Sequence, residues 1–310
     1  MTGSSEYSDP EIFNDPPGSS CIVSFDIEEH FRIEAAAHLT IPDELKRTYA
    51  WRMEAATRRI LDLLHNARVK ATFFIVGEIA ISHPKLVRDI AEAGHEVGSH
   101  SWDHRRVHRF DPLSFREDLL KSKNALEQAT GQAVVGFRAP TFSIVRETGW
   151  AIDVLAECGF EYDSSIFPVR HDRYGISKAP RSPFLAQGRE RTILELPPAT
   201  LKVFGPNLPV AGGGYFRLFP LALMEAGMRQ LARKTSPPVA MLYFHPWEFD
   251  PQQPRLPLGR ASRFRTYVGI RKSVPRLKKL LARHRYRRAI DVVQEIKNSN
   301  VELTRYKVFE

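Results

Sequence analysis

The chain has 310 residues, 43% of them apolar, enough to bury a core and too many for a disordered protein. No run approaches the roughly eighteen apolar residues of a membrane-spanning helix. Two cysteines, Cys21 and Cys158, are too few for a disulfide framework and read as small buried hydrophobes. The formal charge of +9 is concentrated: Pro251 to Ile290 holds thirteen Lys and Arg and no Asp or Glu, and without it the balance is −4.

Met1 to Ser20 is rich in Ser, Pro, Asp and Gly and reads as a disordered leader. Met1 to Asp15 lacks the basic start and apolar middle of a secretory signal, so a cytoplasmic location is expected. Cys21 to Phe25 predicts a buried strand that runs into Asp26, Glu28 and Glu29. A helix follows over Arg52 to Ala67, a strand over Ala71 to Val76, a helix over Pro84 to Ala93 and a strand over His95 to Ser99. Phe115 to Thr130 is helical and closed by Gly131; Val134 to Phe137 is a strand leading to Arg138; Glu147 to Cys158 is a helix. Tyr162 lies near a further strand, and Ile193 to Leu196 and Ala240 to Phe244 are later ones, separated by a glycine-rich loop over Pro206 to Tyr215. Strand–helix alternation predicts parallel strands with helices outside. Asp26, His100, Arg138 and His245 all sit just after strands, where such a fold gathers residues at one mouth.

The chemistry concentrates in four short segments. His100-Ser101-Trp102-Asp103-His104 spaces two imidazoles four apart, which on a helical turn would let them share one metal ion. Asp26-Ile27-Glu28-Glu29-His30 crowds carboxylates at a strand end, a costly arrangement unless a cation offsets it. One carboxylate then completes a metal site and another is free to act as a general base. Arg138-Ala139-Pro140 supplies a guanidinium to hold a catalytic carboxylate ionised, and Leu242-Tyr243-Phe244-His245 supplies a candidate general acid.

In order and spacing these segments resemble the polysaccharide deacetylases, the NodB-homology or carbohydrate esterase family 4 enzymes. The likeness runs over roughly Cys21 to Ile296. More narrowly the chain is similar to deacetylases associated with bacterial exopolysaccharide and exosortase gene clusters, through Asp26 to Phe31, Tyr162 to Pro168, Gly213 to Arg217 and His245 to Glu248. The resemblance implies an α/β fold, a distorted (β/α) barrel with about seven parallel strands. It implies a catalytic domain over 21–298, including a basic extension at 251–290, and a tail at 299–310. The expected activity is metal-dependent removal of N-acetyl groups from hexosamine units of a polysaccharide. Zn2+ is the expected ion, with Co2+, Ni2+ or Mn2+ as alternatives.

Carried over residue by residue, Asp26 becomes the base, His100 and His104 metal ligands, Arg138 the orienting group for Asp26, and His245 the acid. The Thr141 N–H becomes an oxyanion donor. The family's second Asp is here Ile27, which cannot ligate, so Glu28 is the expected third ligand and Glu29 a lesser candidate. Asp163 is the first candidate partner for His245 and Asp250 the second. Trp102, Tyr215, Phe216 and Trp247 are candidates to line a sugar groove. The rival readings are an allantoinase-like or deformylase-like hydrolase of a small amide, and a carbohydrate-binding protein without activity. The basic segment is open to peripheral membrane contact, at the inner face for a cytoplasmic enzyme; without a recognisable motif, nucleic acid is not an expected partner.

Overall fold

The computed structural model describes residues 15–309 apart from Pro17. Most of the expected leader lies outside the described residues. Twelve strands are present among the described residues. They are β1 (Ser20–Ile27), β2 (Thr72–Ile75), β3 (Glu96–Ser99), β4 (Gly136–Phe137), β5 (Tyr162–Asp163) and β6 (Phe184–Gln187). Then come β7 (Thr192–Glu195), β8 (Thr200–Lys202), β9 (Asn207–Pro209), β10 (Val239–Phe244), β11 (Tyr286–Arg287) and β12 (Arg305–Lys307).

Seven of them run parallel in the order β10-β1-β2-β3-β4-β5-β7. The sheet then turns antiparallel at β6 and ends on β12. It curls until the chain after β7 meets β10 through single bridges, Pro198 to Met241 and Gly212 to Tyr243. This is an α/β fold with a curled, mostly parallel sheet, as expected for about seven parallel strands. β1 is buried along its whole length, on both faces, which is why it is mostly apolar, with Ser24 and Asp26 on the face that turns to the site.

Helices cover the outside. The strongest end signals sit on α4 (Pro112–Thr130), counting α1 (Asp43–Asn66), α2 (Gly77–Ser82) and α3 (Pro84–Glu92) before it. Asp111 caps α4 by accepting from the Ser114 N–H at 2.8 Å, and Gly131 ends it in the left-handed region, φ 68°. α5 spans Ala151–Glu157.

Three expectations need correction. α1 begins at Asp43, nine residues before the predicted start, because Asp43 and Glu44 favour a first helical turn. The stretch 206–215 is not one loop: it holds β9 and the start of α6 (Gly213–Leu218), followed by α7 (Leu221–Lys234). The basic segment, to which the sequence reading assigned no elements, folds into α8 (Arg260–Tyr267), α9 (Ser273–Arg283) and β11, with α10 (Ala289–Asn298) after it. Residues 299–310, expected as a tail, contribute β12 to the main sheet. Cys21 and Cys158 are both free and buried, as expected.

Candidate active site

β1 sends its polar residues to one face. Side chains alternate along extended chain, so Ser24, Asp26 and Glu28 share a side, while Phe25 and Ile27 join the main apolar core. This is why Ile27 cannot be the ligand and why the carboxylate two positions on can. Strand register gathers the rest. Phe25 pairs with Phe244, Ile75 with Ser99, and Ser99 with Phe137, so Asp26, His245, His100 and Arg138 emerge at neighbouring strand ends.

Arg138 is fully buried and organises the floor. Its Nη1 donates to Asp26 Oδ1 at 2.6 Å and to Ser24 Oγ at 2.8 Å, and its Nε and Nη2 donate to Ser164. The guanidinium carbon lies 4.2 Å from the centre of the Phe74 ring. The Arg138 carbonyl accepts from His100 Nδ1 at 2.7 Å, which leaves His100 Nε2 with its lone pair facing the mouth.

His100 and His104 do come together, with ring centres 5.0 Å apart, but not on a helical turn. They lie on a loop in which Ser101 and His104 are left-handed, φ 67° and 68°. The N–H groups of Gly77 and Glu78 pin that loop by donating to the Ser101 and Trp102 carbonyls, each at 2.9 Å.

One atom each of Glu28, His100 and His104 lies within 4.8 Å of the others. Glu28 Oε2 is buried and lies 2.5 Å from His104 Nε2. Three ligand atoms that converge in this way fit a shared cation. Burial works against the Glu28 charge, but His104, His245 and His100 outweigh it and hold the carboxyl well below its usual range. Burial lowers His100 to about 4, which keeps the ring neutral, the form a ligand needs. One carboxylate and two imidazoles suit a divalent metal. Glu29 is engaged elsewhere, accepting from Arg32 Nε at 2.5 Å.

The opposite wall carries His245. Its Nδ1 lies 2.8 Å from Glu248 Oε1, and the other Glu248 oxygen accepts from Arg217 Nε at 2.7 Å. Burial opposes charge on the His245 ring, but the Glu248 hydrogen bond and the charges of Glu28, Glu248 and Asp26 raise it to about 9. His245 Nε2 faces inward, 3.9 Å from Asp26 Oδ2 and 3.8 Å from Glu28 Oε1. Trp247 stacks on His245, ring centres 5.1 Å apart, and its Nε1 donates to Glu28 Oε1 at 3.3 Å.

These residues open into a cavity of about 630 Å3 whose wall includes Thr141, Tyr215 and Trp247. Thr141 is left-handed, φ 58°. Other expectations fail on geometry. Asp163 is not the partner of His245: it accepts from Ser165 Oγ at 2.5 Å and neighbours Glu195. Asp250 is held by Arg52 at 2.6 and 2.7 Å. Trp102 does not line the cavity; it packs by Gly77 and under Lys121, whose Nζ is 3.9 Å from the ring centre. Phe216 is fully buried against Phe244. Glu248 and Arg217 had no assigned role in the sequence reading. The available signal was a carboxylate three residues after His245.

Two family profiles cover most of the chain. Polysaccharide deacetylase matches residues 36–162, and a domain of unknown function, DUF3473, matches residues 164–294. Residues 36–162 thus resemble a polysaccharide deacetylase domain. A peptidoglycan-N-acetylglucosamine deacetylase of Listeria monocytogenes is 32% identical over 108 residues, 32% of this chain and 23% of that protein. A chitooligosaccharide deacetylase of a Bradyrhizobium strain is 33% identical over 100 residues, 32% of this chain and 43% of that protein. The chain thus spans less than half the length of these relatives. Among solved structures, a candidate polysaccharide deacetylase of Mycobacterium smegmatis shares the fold with TM-score 0.60 and 23% identity, covering 94% of this chain and 96% of that one. PuuE allantoinase does so with TM-score 0.62 and 16% identity, covering 96% and 99%. The deacetylase profile includes His100, His104 and Arg138. Asp26 and Glu28 precede it, and Arg217, His245 and Glu248 fall in the DUF3473 stretch. Among the described residues no helix is long and apolar enough to cross a membrane.

Proposed function

We propose that this protein hydrolyses N-acetyl groups from hexosamine units of a bacterial exopolysaccharide. The observation that carries the reading is the gap between Asp26 Oδ2 and His245 Nε2, 3.9 Å across and beside the Glu28, His100 and His104 group. A base and an acid face each other there over the place where an amide would be cleaved.

Glu28, His100 and His104 would hold a divalent ion, for which Zn2+ suits the donor set, and the chemistry it supplies is polarisation of the acetyl carbonyl and activation of water. Asp26 has one oxygen committed to Arg138 and the other turned to the gap. It takes the proton from the attacking water as the carbon–oxygen bond forms. The Thr141 N–H serves the developing oxyanion. His245, held protonated through Glu248, gives its Nε2 proton to the nitrogen as the carbon–nitrogen bond breaks. Acetate and a free amino sugar result.

A polymer suits the surface better than a small amide. A second concavity of about 590 Å3, bordered by Arg146 and Lys178, shares the wall His171 to Tyr174 with the first. Two concavities bordering the same loop leave room for sugars beyond the cleaved one. The test is acetate release from N-acetylglucosamine oligomers by wild type and Asp26→Asn, with added Zn2+ and after chelation. Metal-dependent release that the variant lacks supports the reading; release from allantoin or a formamide but from no oligomer would replace it with the small-amide one.

A further inference from the structure

The exposed lining of the cavity includes two basic segments, α8 and the loop 171–174, with Glu34 nearby. α8 contributes Phe264, 59% exposed although it borders the cavity, and Arg265, also exposed. The facing loop contributes His171, Asp172, Arg173 and Tyr174, with His171 stacked on Tyr174 at 4.0 Å between ring centres. Anions at this rim are already engaged. Glu34 accepts from Arg106 at 3.0 Å, and Asp172 sits 3.0 Å from His171 and 4.0 Å from Arg173. No ion pair is formed by Arg265 among the described residues. Burial lowers the His171 pKa, and the charges of Arg173 and Arg265 both reach that ring and lower it further, against Asp172.

The rim is also anchored to the proposed acid. Arg217 Nη1 donates to the carbonyls of Thr266, at 2.5 Å, and Val268, at 3.1 Å, just after Arg265, while Arg217 Nε holds Glu248. A solvated charged face needs no such brace, and it does not place a bare aromatic beside an unpaired guanidinium at a cavity mouth.

We propose that this rim is a subsite for an acidic sugar, a residue carrying a carboxylate or phosphate next to the N-acetylhexosamine, with Arg265 and Arg173 taking the anion and Phe264 the ring face. The proposal rests on the deacetylase reading of the cavity and names the substrate class of that site. Arginine suits it because its planar fork pairs with carboxylate or phosphate oxygens, and an aromatic face stacks on the apolar side of a sugar ring.

The experiment measures binding by calorimetry with Asp26→Asn, which stops turnover. It compares three tetrasaccharides of equal length: neutral N-acetylglucosamine, alternating N-acetylglucosamine and glucuronate, and a 6-phosphorylated form. The expected result is roughly tenfold tighter binding of one anionic form than of the neutral one at low salt, shrinking as salt is added. Adding Arg173→Ala and Arg265→Ala should remove that preference and leave neutral binding and the melting temperature unchanged. Which anionic form gains identifies the source of the charge. Equal affinity for all three, or a preference that survives both substitutions, would overturn the proposal. Acetate release by the wild type is measured separately: a rim that prefers acidic oligomers in a protein releasing no acetate keeps the subsite and rejects the deacetylase reading.

Discussion

Glu248 joins His245 to Arg217, one oxygen 2.8 Å from the ring Nδ1 and the other accepting from the guanidinium at 2.7 Å. Glu248 and Arg217 are buried and His245 is mostly so, and the charges act at short range with reduced screening. Removing the central charge affects both neighbours.

Glu248→Gln is expected to lose both activity and stability. Arg217 is left buried without its counter-charge, which costs roughly 3–5 kcal/mol by the usual penalty for breaking a buried pair. His245 has its pKa raised in the fold, to about 9, so its contribution to stability is full below the unfolded value of 6.5 and is lost as pH rises through 9. In the variant the alkaline fall of acetate release should move to lower pH. A pH profile with an unmoved alkaline limb would show that Glu248 does not set the acid.

Metal content separates two adjacent glutamates. Glu28→Gln should abolish stoichiometric binding of added Zn2+, measured by mass spectrometry after dialysis. Glu29→Gln should retain it, because Glu29 is spent on Arg32. The opposite ranking would move the ligand to Glu29.

Restoring the more common carboxylate position should not rescue the site. Ile27 is fully buried in the core, on the other face of β1. Ile27→Asp combined with Glu28→Ala puts an unpaired carboxylate among apolar side chains, at a cost of several kcal/mol. The double variant should melt well below Glu28→Ala alone and bind no more metal.

Asp163 and Glu195 give a pH signature of their own. Both are fully buried; burial raises Asp163 to about 6, and burial together with the Asp163 charge holds Glu195 well above the carboxylate range. The unfolded chain releases these protons near 3.8 and 4.5 while the fold keeps them. Their contribution therefore falls as pH rises from about 4 through 6 and beyond. Glu195→Gln should flatten urea-denaturation stability across that range; an unchanged slope would rule the pair out as its source.

The strand-end residues were legible because a parallel sheet has only one mouth: His100, Arg138 and His245 each follow a strand, and Asp26 sits near the end of β1, which runs two residues further than its apolar run predicts. The choice of Glu28 was legible too, from the two-residue period of extended chain. The partner of His245 was not. It depends on the turn Pro246–Phe249, which folds Glu248 back onto the ring, and a sequence shows the spacing but not that turn. The helical reading of His100 to His104 failed because two residues with φ near +68° make a loop that propensity does not favour. Trp102 was misplaced for a similar reason: its loop turns the indole outward onto Gly77 and Lys121. Asp163 had the right residue type, but its strand delivers it to Ser165 and Glu195.

The order β10-β1-β2 has a bearing on how this protein can be divided. β1 lies between β10, which leads into His245, and β2, the first strand of the deacetylase profile, yet it belongs to neither matched stretch. A fragment cut to the deacetylase profile would lose Asp26 and Glu28 and expose β2 as a bare hydrophobic edge, a template for aggregation. Exchange of whole modules between relatives is thus constrained: a functional chimera must inherit the amino-terminal strand and the carboxy-terminal half together.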